Sequence, residues 1–380
     1  MHKRFLVGMT AGLAVATGLM ASASGAMASG SPAGTRVPHR WHTVSPPTPS
    51  GVSSDPLNVV SCVATGSCMV IGTLESPGTA QPVSQFWNGE SWSTKVSPLP
   101  EMPGWLSCAT VRSCTAVGLT FAGSESVEMA EHWDGTSWTL QTTPPPPAGA
   151  AGSQLLGISC PAAKSCFAIG DYRGKRGPRI PLAERWDGSA WTAQSIPGPP
   201  NKTYFGFDGL SCSSPQFCVA IGEYGHGLFA DTWNGTDWTA KLITGPGSPA
   251  VAELFAISCS SAKACLAVGI ETAELWNGTK WRKVPPAMPK GGSMELLSVS
   301  CPSATGCEAV GLPSGTEDRS AELWNGRKWF IQRGLPTTTK SRFAIVDEVS
   351  CASPFNCLAI GAYQTRGAKV HFQPLASHYS

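Results

Sequence analysis

LFAISCSSAKACLAVG at 254–269, followed by AELWNGTKWRKVPP at 273–286, is one complete unit of a repeat that runs through the chain. Its first half recurs seven times, with cysteines at Cys62/Cys68, Cys108/Cys114, Cys160/Cys166, Cys212/Cys218, Cys259/Cys265, Cys301/Cys307 and Cys351/Cys357, each pair six apart. Its second half, W-[ND]-G-x-x-W, recurs six times, at Trp87/Trp92, Trp133/Trp138, Trp186/Trp191, Trp233/Trp238, Trp276/Trp281 and Trp324/Trp329. Successive first cysteines lie 42 to 52 residues apart. A period of that size, built from strand signals, reads as the blades of a β-propeller.

Each unit divides into four strands. Strand one ends at Ser-Cys and strand two starts at the second cysteine. Both are short, apolar and rich in β-branched residues, as strands between stacked sheets should be. Strand three is the A-E-L-W run, and strand four starts near the second Trp and stops at proline. Asn-Gly or Asp-Gly between them predicts a hairpin in which those residues take positive φ. The expected fold is all-β, a seven-bladed propeller of four-stranded blades with one hairpin disulfide per blade. The seventh repeat lacks the Trp pair. Its third strand is expected over 368–376, and Arg40 to Pro47 supplies the missing fourth strand. Closing the last blade with the N-terminal strand leaves no open edge. An open solenoid or two smaller domains would need a linker that the inter-repeat loops do not provide.

The ends and the cysteines point to a compartment. His2, Lys3 and Arg4 precede an apolar stretch from Phe5 to about Ala21, and Ala26-Met27-Ala28 fits a cleavage site. This predicts a secretory signal peptide over 1–28, a flexible segment over 29–39 and the propeller over 40–380. The stretch is short and Gly-rich for a membrane span, and no second one follows. All fourteen cysteines lie beyond the predicted cut. Seven even pairs in a secreted chain predict seven disulfides. On the loop-entropy model each such small ring contributes about 2–2.5 kcal/mol, less any strain. The bridges are expected to be structural, substituting for a thick core in thin blades. The spacing is not that of a zinc site and no histidine recurs with it. Seven equivalent copies also argue against redox catalysis. Net charge is only +2 and no basic stripe marks a nucleic-acid surface.

The pattern S-C-x5-C-x-A-[VI]-G followed by A-E-x-W-[ND]-G-x-x-W resembles secreted repeat proteins common in actinobacteria, often grouped loosely as kelch-like or galactose-oxidase-like propellers. The resemblance covers Trp41 to the C-terminus. It implies a propeller and an extracellular location, and no particular activity. The D-G-x-x-W part is similar to the Asp-box of sialidases, but Asp134 and Asp187 stand four residues before Trp, where that box has five, and four repeats carry Asn instead. With every cysteine paired, the Tyr–Cys copper chemistry of galactose oxidase does not carry over.

Propeller connectivity puts the disulfide loops and Asn-Gly turns on one face and the variable two-to-three and four-to-one loops on the other. Variable loops on a rigid scaffold are where binding is expected. An acidic residue often precedes strand one: Asp55, Glu101, Asp208, Glu253, Glu295 and Asp347, with Gln154 in the remaining repeat. Such a ring at the channel mouth would attract a divalent cation or a basic ligand. No other cofactor is expected. Tyr172, Tyr224 and Tyr363 follow strand two at equivalent places, and Tyr204 and Phe205 sit in a four-to-one loop. Aromatic rings beside carboxylates suit sugars or peptides. The six Trp pairs, by contrast, read as structural, and the Glu two residues before the first Trp, as in Glu131, Glu184, Glu274 and Glu322, as a hydrogen-bonding group within its blade. Two function classes follow. One is a secreted, monomeric binding module for glycans or extracellular proteins. The alternative is a secreted hydrolase or lyase on the variable-loop face, which needs a non-repeated acid, base or metal-ligand constellation. The sequence shows no catalytic motif, and His226, His371 and His378 form no cluster.

Overall fold

The computed structural model describes residues 39–380, apart from 49–56, 77–78, 97–101, 124, 147–148, 175–178, 200–205, 225–226, 244–252, 289–291, 314–319, 333–334, 336–340 and 366–371. The signal-peptide reading of 1–28 and the segment 29–38 lie outside the described residues.

The strands form seven sheets of four antiparallel strands each. Blade 1 is typical, with strands Leu57–Ala64, Ser67–Ser76, Thr79–Trp87 and Trp92–Val96. Blades 2 to 6 span 102–141, 150–194, 206–243, 254–283 and 294–332. Blade 7 takes three strands from the C-terminus, Ser341–Ser353, Asn356–Thr365 and Phe372–Tyr379, and its fourth, Trp41–Thr43, from the N-terminus. The C-terminal strand is shifted from its expected span of 368–376, while the N-terminal strand falls inside its expected 40–47. The register explains the shift: Trp41 pairs with Tyr379 as Trp87 pairs with Trp92. The seventh aromatic pair therefore exists, divided between the chain ends with Tyr in place of one Trp. Its rings are 5.3 Å apart, within reach of the 5.3–5.8 Å of the six Trp pairs.

Strand one of each blade touches strand one of the next, and the last touches the first, so these strands line the ring's centre. The hydrophobic cores lie between blades. Phe167, Ile169 and Ala183 of blade 3 pack on Phe207, Phe229 and Trp233 of blade 4. Leu358 and Ile360 of blade 7 pack on Leu57 and Val70 of blade 1, closing the ring.

All seven disulfides join strands one and two: Cys62–Cys68, Cys108–Cys114, Cys160–Cys166, Cys212–Cys218, Cys259–Cys265, Cys301–Cys307 and Cys351–Cys357, with Cα atoms 3.9–4.1 Å apart. The pairing is as expected, but the setting of the bridges corrects the sequence reading. They do not stand in for a core; they are part of it. Cys166, Cys218, Cys265, Cys307 and Cys357 are each 2% exposed or less, and each packs into a different inter-blade cluster. Cys166 Sγ reaches the preceding blade, 3.7 Å from the Thr115 hydroxyl. The reason is the strand period: the second cysteine opens strand two, and its side chain falls on the face that the neighbouring sheet covers. The stacking of blades buries these sulfurs.

The serine before each first cysteine has a role that its sequence position alone does not disclose. Its hydroxyl accepts the backbone N–H of the first cysteine in the following blade. Ser61 serves Cys108, Ser107 serves Cys160, Ser159 serves Cys212, Ser211 serves Cys259, Ser258 serves Cys301, Ser300 serves Cys351, and Ser350 returns to Cys62. The seven distances are 2.9–3.0 Å. Among the described residues adjacent sheets are joined by backbone only at the Ile270–Glu295 bridge, so this ring of hydrogen bonds satisfies backbone donors that would otherwise be stranded between them. The glycine ending A-[VI]-G is fixed by close approach. A Cβ at Gly269 would lie 1.8 Å from the Glu253 carbonyl oxygen, and one at Gly311 1.9 Å from that of Glu295.

Two further local expectations are corrected. The Asn-Gly and Asp-Gly turns are not two-residue hairpins with both residues at positive φ. Only the glycine is at positive φ, as in Gly278 at 96°. The Asn or Asp uses its side chain: Asn277 Oδ1 accepts the N–H groups of Thr279 and Lys280, and Asp134 Oδ1 those of Thr136 and Ser137. An acceptor oxygen is all the turn requires, so Asn and Asp interchange. The same bonds, led by that from the Thr136 hydroxyl, hold the Asp134 carboxyl down at about 2. Second, the acid two residues before the first Trp bonds between blades rather than within one in two of the blades. Asp231, its counterpart in blade 4, accepts the N–H of Gly198, and Glu322 that of Ala287, both from the preceding blade's outgoing loop.

Candidate functional site

Strand one carries a bulge at the same place in every blade, four residues before the first cysteine. The ladder skips Asn58, Gly104, Leu156, Asp208, Phe255, Leu297 and Asp347 in turn. A bulge frees its residue from pairing and re-aims it. All seven line one central cavity of about 370 Å³. Trp105, Ser298 and Glu348, one position further on, line it too. The channel wall is thus an array of seven bulge positions, filled by five residue types, on a uniform frame.

Two members of the expected acidic ring, Asp208 and Asp347, reach this cavity. Glu253 and Glu295 stand six residues before their cysteines and pair near the end of strand two, Glu295 with Leu312. Asp55 and Glu101 lie outside the described residues, as do Tyr204 and Phe205. An offset of four from the first cysteine, rather than an acid anywhere ahead of it, is the signal that selects channel residues. That signal finds the missed Asn58 and Phe255, and its neighbours Trp105 and Glu348.

The channel acids are held close to neutrality. Asp208 is open to the channel yet ringed by protein. That desolvation, with Glu223 and Glu253 nearby, raises its pKa to about 7. Desolvation raises Asp347 to about 6, and it raises Glu348 to about 8, with the Asp347 charge adding to it and a Ser298 hydrogen bond opposing it. A cation entering the channel would draw protons off these groups. Among the described residues, no cluster of three or more His, Cys, Asp or Glu has the geometry to hold a metal ion.

The aromatic candidates do not converge. Tyr172, Tyr224 and Tyr363 are half-buried on blades 3, 4 and 7, each against a different inter-blade core. Asp171 beside Tyr172 is engaged by Arg179 at 2.9 Å and by Gln154 at 3.3 Å.

No protein family and no curated protein sequence matches this chain. Solved structures do match. YCF48 bound to D1 peptide aligns over 89% of this chain and 94% of its own, with a TM-score of 0.55 at 14% identity. YCF48 from Cyanidioschyzon merolae gives 0.52 at 13% identity, over 89% and 98%. The Cps50 (Swd1) β-propeller domain of Myceliophteria thermophila gives 0.54 at 9% identity, over 90% and 100%. At these identities the likeness establishes the fold alone. The chain is a seven-bladed β-propeller, a scaffold typical of interaction proteins, and no helix among its described residues is long and apolar enough to cross a membrane.

Proposed function

We propose that this protein is a secreted binding module of the Cys/Trp-repeat propeller type, whose channel receives a basic segment of an extracellular protein. The bulge ring carries the proposal. With the position after it, it is where the channel-lining strands differ, and together they gather Asp208, Asp347 and Glu348 with Trp105 and Phe255 around one cavity. A Lys or Arg side chain suits that lining. Its charged head meets carboxylates, while its methylene stem lies along aromatic surface. Supporting this reading, a propeller of similar fold has been seen with a peptide bound. Seven disulfides fit an oxidising compartment, in keeping with the leader read over 1–28.

The test is calorimetric titration of the oxidised mature protein with Lys/Arg-rich, neutral and acidic peptides of equal length. The basic peptide should bind, and D208N/D347N should weaken it tenfold or more with no loss of melting temperature. Because the acids must ionise to pair, affinity should fall as pH drops from about 8 to about 5.5. Equal binding of all three peptides, or an unaffected variant, would overturn the reading. A parallel glycan array covers the carbohydrate alternative: a sugar hit lost on changing Tyr172, Tyr224 or Tyr363 would move the ligand to the loop face.

A further inference from the structure

A second unrepeated feature lies on the rim between blades 5 and 6. There a cleft of about 360 Å³ is lined by Arg282 and Lys283 of strand four in blade 5 and by Arg327 and Lys328 of the turn in blade 6. Val284 and Pro285 form an apolar wall. The sevenfold frame supplies its own control. The equivalent four positions are Ser93, Thr94, Thr136 and Ser137 between blades 1 and 2, and Thr139, Leu140, Ser189 and Ala190 between blades 2 and 3. Between blades 3 and 4 they include one acid, Asp237, and between blades 4 and 5 one cation, Lys280. At these four positions the other junctions named carry at most one cation, although Lys95, Arg185 and Lys241 reach neighbouring-blade aromatics elsewhere on them, so four around one cleft are not a requirement of the fold.

The protein offsets these charges only in part, through Lys283, whose charge acts on Glu274. The one ion pair among the described residues is Arg179 with Asp171, far along the chain. Lys283 stands opposite Glu274 in the ladder, and Glu322 lies beneath Ala287 at the cleft floor. Both acids are buried, and desolvation raises each to about 7, against the Lys283 charge at Glu274 and the Ala287 N–H at Glu322. Arg282, Arg327 and Lys328 are exposed, and the Lys328 ammonium sits 4.7 Å from the Phe330 ring. Four like charges around one cleft repel one another unless an anion joins them.

We infer that the cleft between blades 5 and 6 binds an acidic polysaccharide through carboxylate or sulfate groups. Two guanidinium forks match such groups bidentately. The apolar wall suits the C–H faces of sugar rings. The tryptophans that back the cleft, Trp324 and Trp329, are 2% and 8% exposed and offer no platform for stacking nucleobases, which separates this cleft from a single-strand nucleic-acid groove. The inference does not depend on the channel reading, since the two sites share no residue and want ligands of opposite charge.

The experiment measures binding of labelled oligogalacturonate, a sulfated dextran oligosaccharide, neutral dextran and a single-stranded oligonucleotide of matched charge to the oxidised protein at low salt. One or both acidic glycans should bind, neutral dextran should not, and added salt should weaken the complex. R282A/R327A should cost tenfold or more with the melting temperature kept. R282K/R327K, which retains charge without the fork, should fall between. K241A, on the neighbouring junction, should behave as wild type. Three results would each overturn the inference: no binding of either acidic glycan, a double alanine variant that binds as wild type, or tighter binding of the oligonucleotide.

Discussion

Two rings on the innermost strands lie only three residues apart and could hardly differ more. One residue before the first cysteine, all seven blades carry serine. Four residues before it, they carry Asn58, Gly104, Leu156, Asp208, Phe255, Leu297 and Asp347. Each serine hydroxyl receives the next blade's backbone N–H at about the same distance, so its geometry is dictated by how sheets stack. The bulge residue has left the ladder and faces the channel, so stacking places no demand on it. Within one molecule, a repeated position is scaffold, and a position freed from the ladder is free to vary.

The broadest way to break this comparison uses pH, because acids occupy both kinds of position. Burial raises Glu184 of the repeated strand-three set to about 8, with Glu128 adding to it, and Asp231 to about 7. Their folded pKa values exceed the unfolded ones, so the folded state holds protons that the unfolded chain releases. The stability they contribute is fully present below the ordinary carboxylate range, and is lost as pH rises through about 7 to 8. Melting temperature should therefore fall from mildly acidic to mildly basic buffer, and E184Q should flatten that slope. If E184Q leaves the slope unchanged, the buried acids are not its source.

A sharper cut is Ser258→Ala, which strands the Cys301 N–H between blades 5 and 6. An unpaired buried donor costs about 1–3 kcal/mol. Melting temperature should drop, and binding of a basic peptide at the channel should not change. D208N/D347N should give the opposite pattern, a tenfold or greater loss of basic-peptide affinity at constant or raised melting temperature. If the serine variant lost binding, or the channel variant lost stability, scaffold and site would not be separable in this way. Asn277→Ala should have the smallest effect. It removes the side-chain acceptor of one exposed turn and should cost about 1 kcal/mol, read from chemical denaturation.

The Asx turns show how far a local reading reaches. The dipeptides Asn-Gly and Asp-Gly announced each hairpin, and the glycine does adopt the positive φ that an L side chain resists. What the dipeptide did not reveal is that Asn and Asp act as hydrogen-bond acceptors, since a side-chain role depends on which amides the loop turns inward. The acids ahead of strand one fared similarly. Their type was visible, but only a bulge register separates Asp208 and Asp347 from Glu295. The cysteines divide the same way. Their spacing named the partners, while the burial of Cys218 or Cys265 in an inter-blade core depends on the sheet next door.

By itself the sequence determined the number of blades, the pairing of the cysteines, the four-strand division and the closure of blade 7 by the N-terminus. Each of these follows from periodicity and local chemistry, which a single chain displays in full. The serine ring, the Tyr379–Trp41 pair, the bulge-lined channel and the four-cation cleft were decided only by the tertiary structure. Each joins residues of neighbouring blades or opposite chain ends. Their contacts depend on how sheets twist and stack, a relation that no stretch of sequence carries within itself.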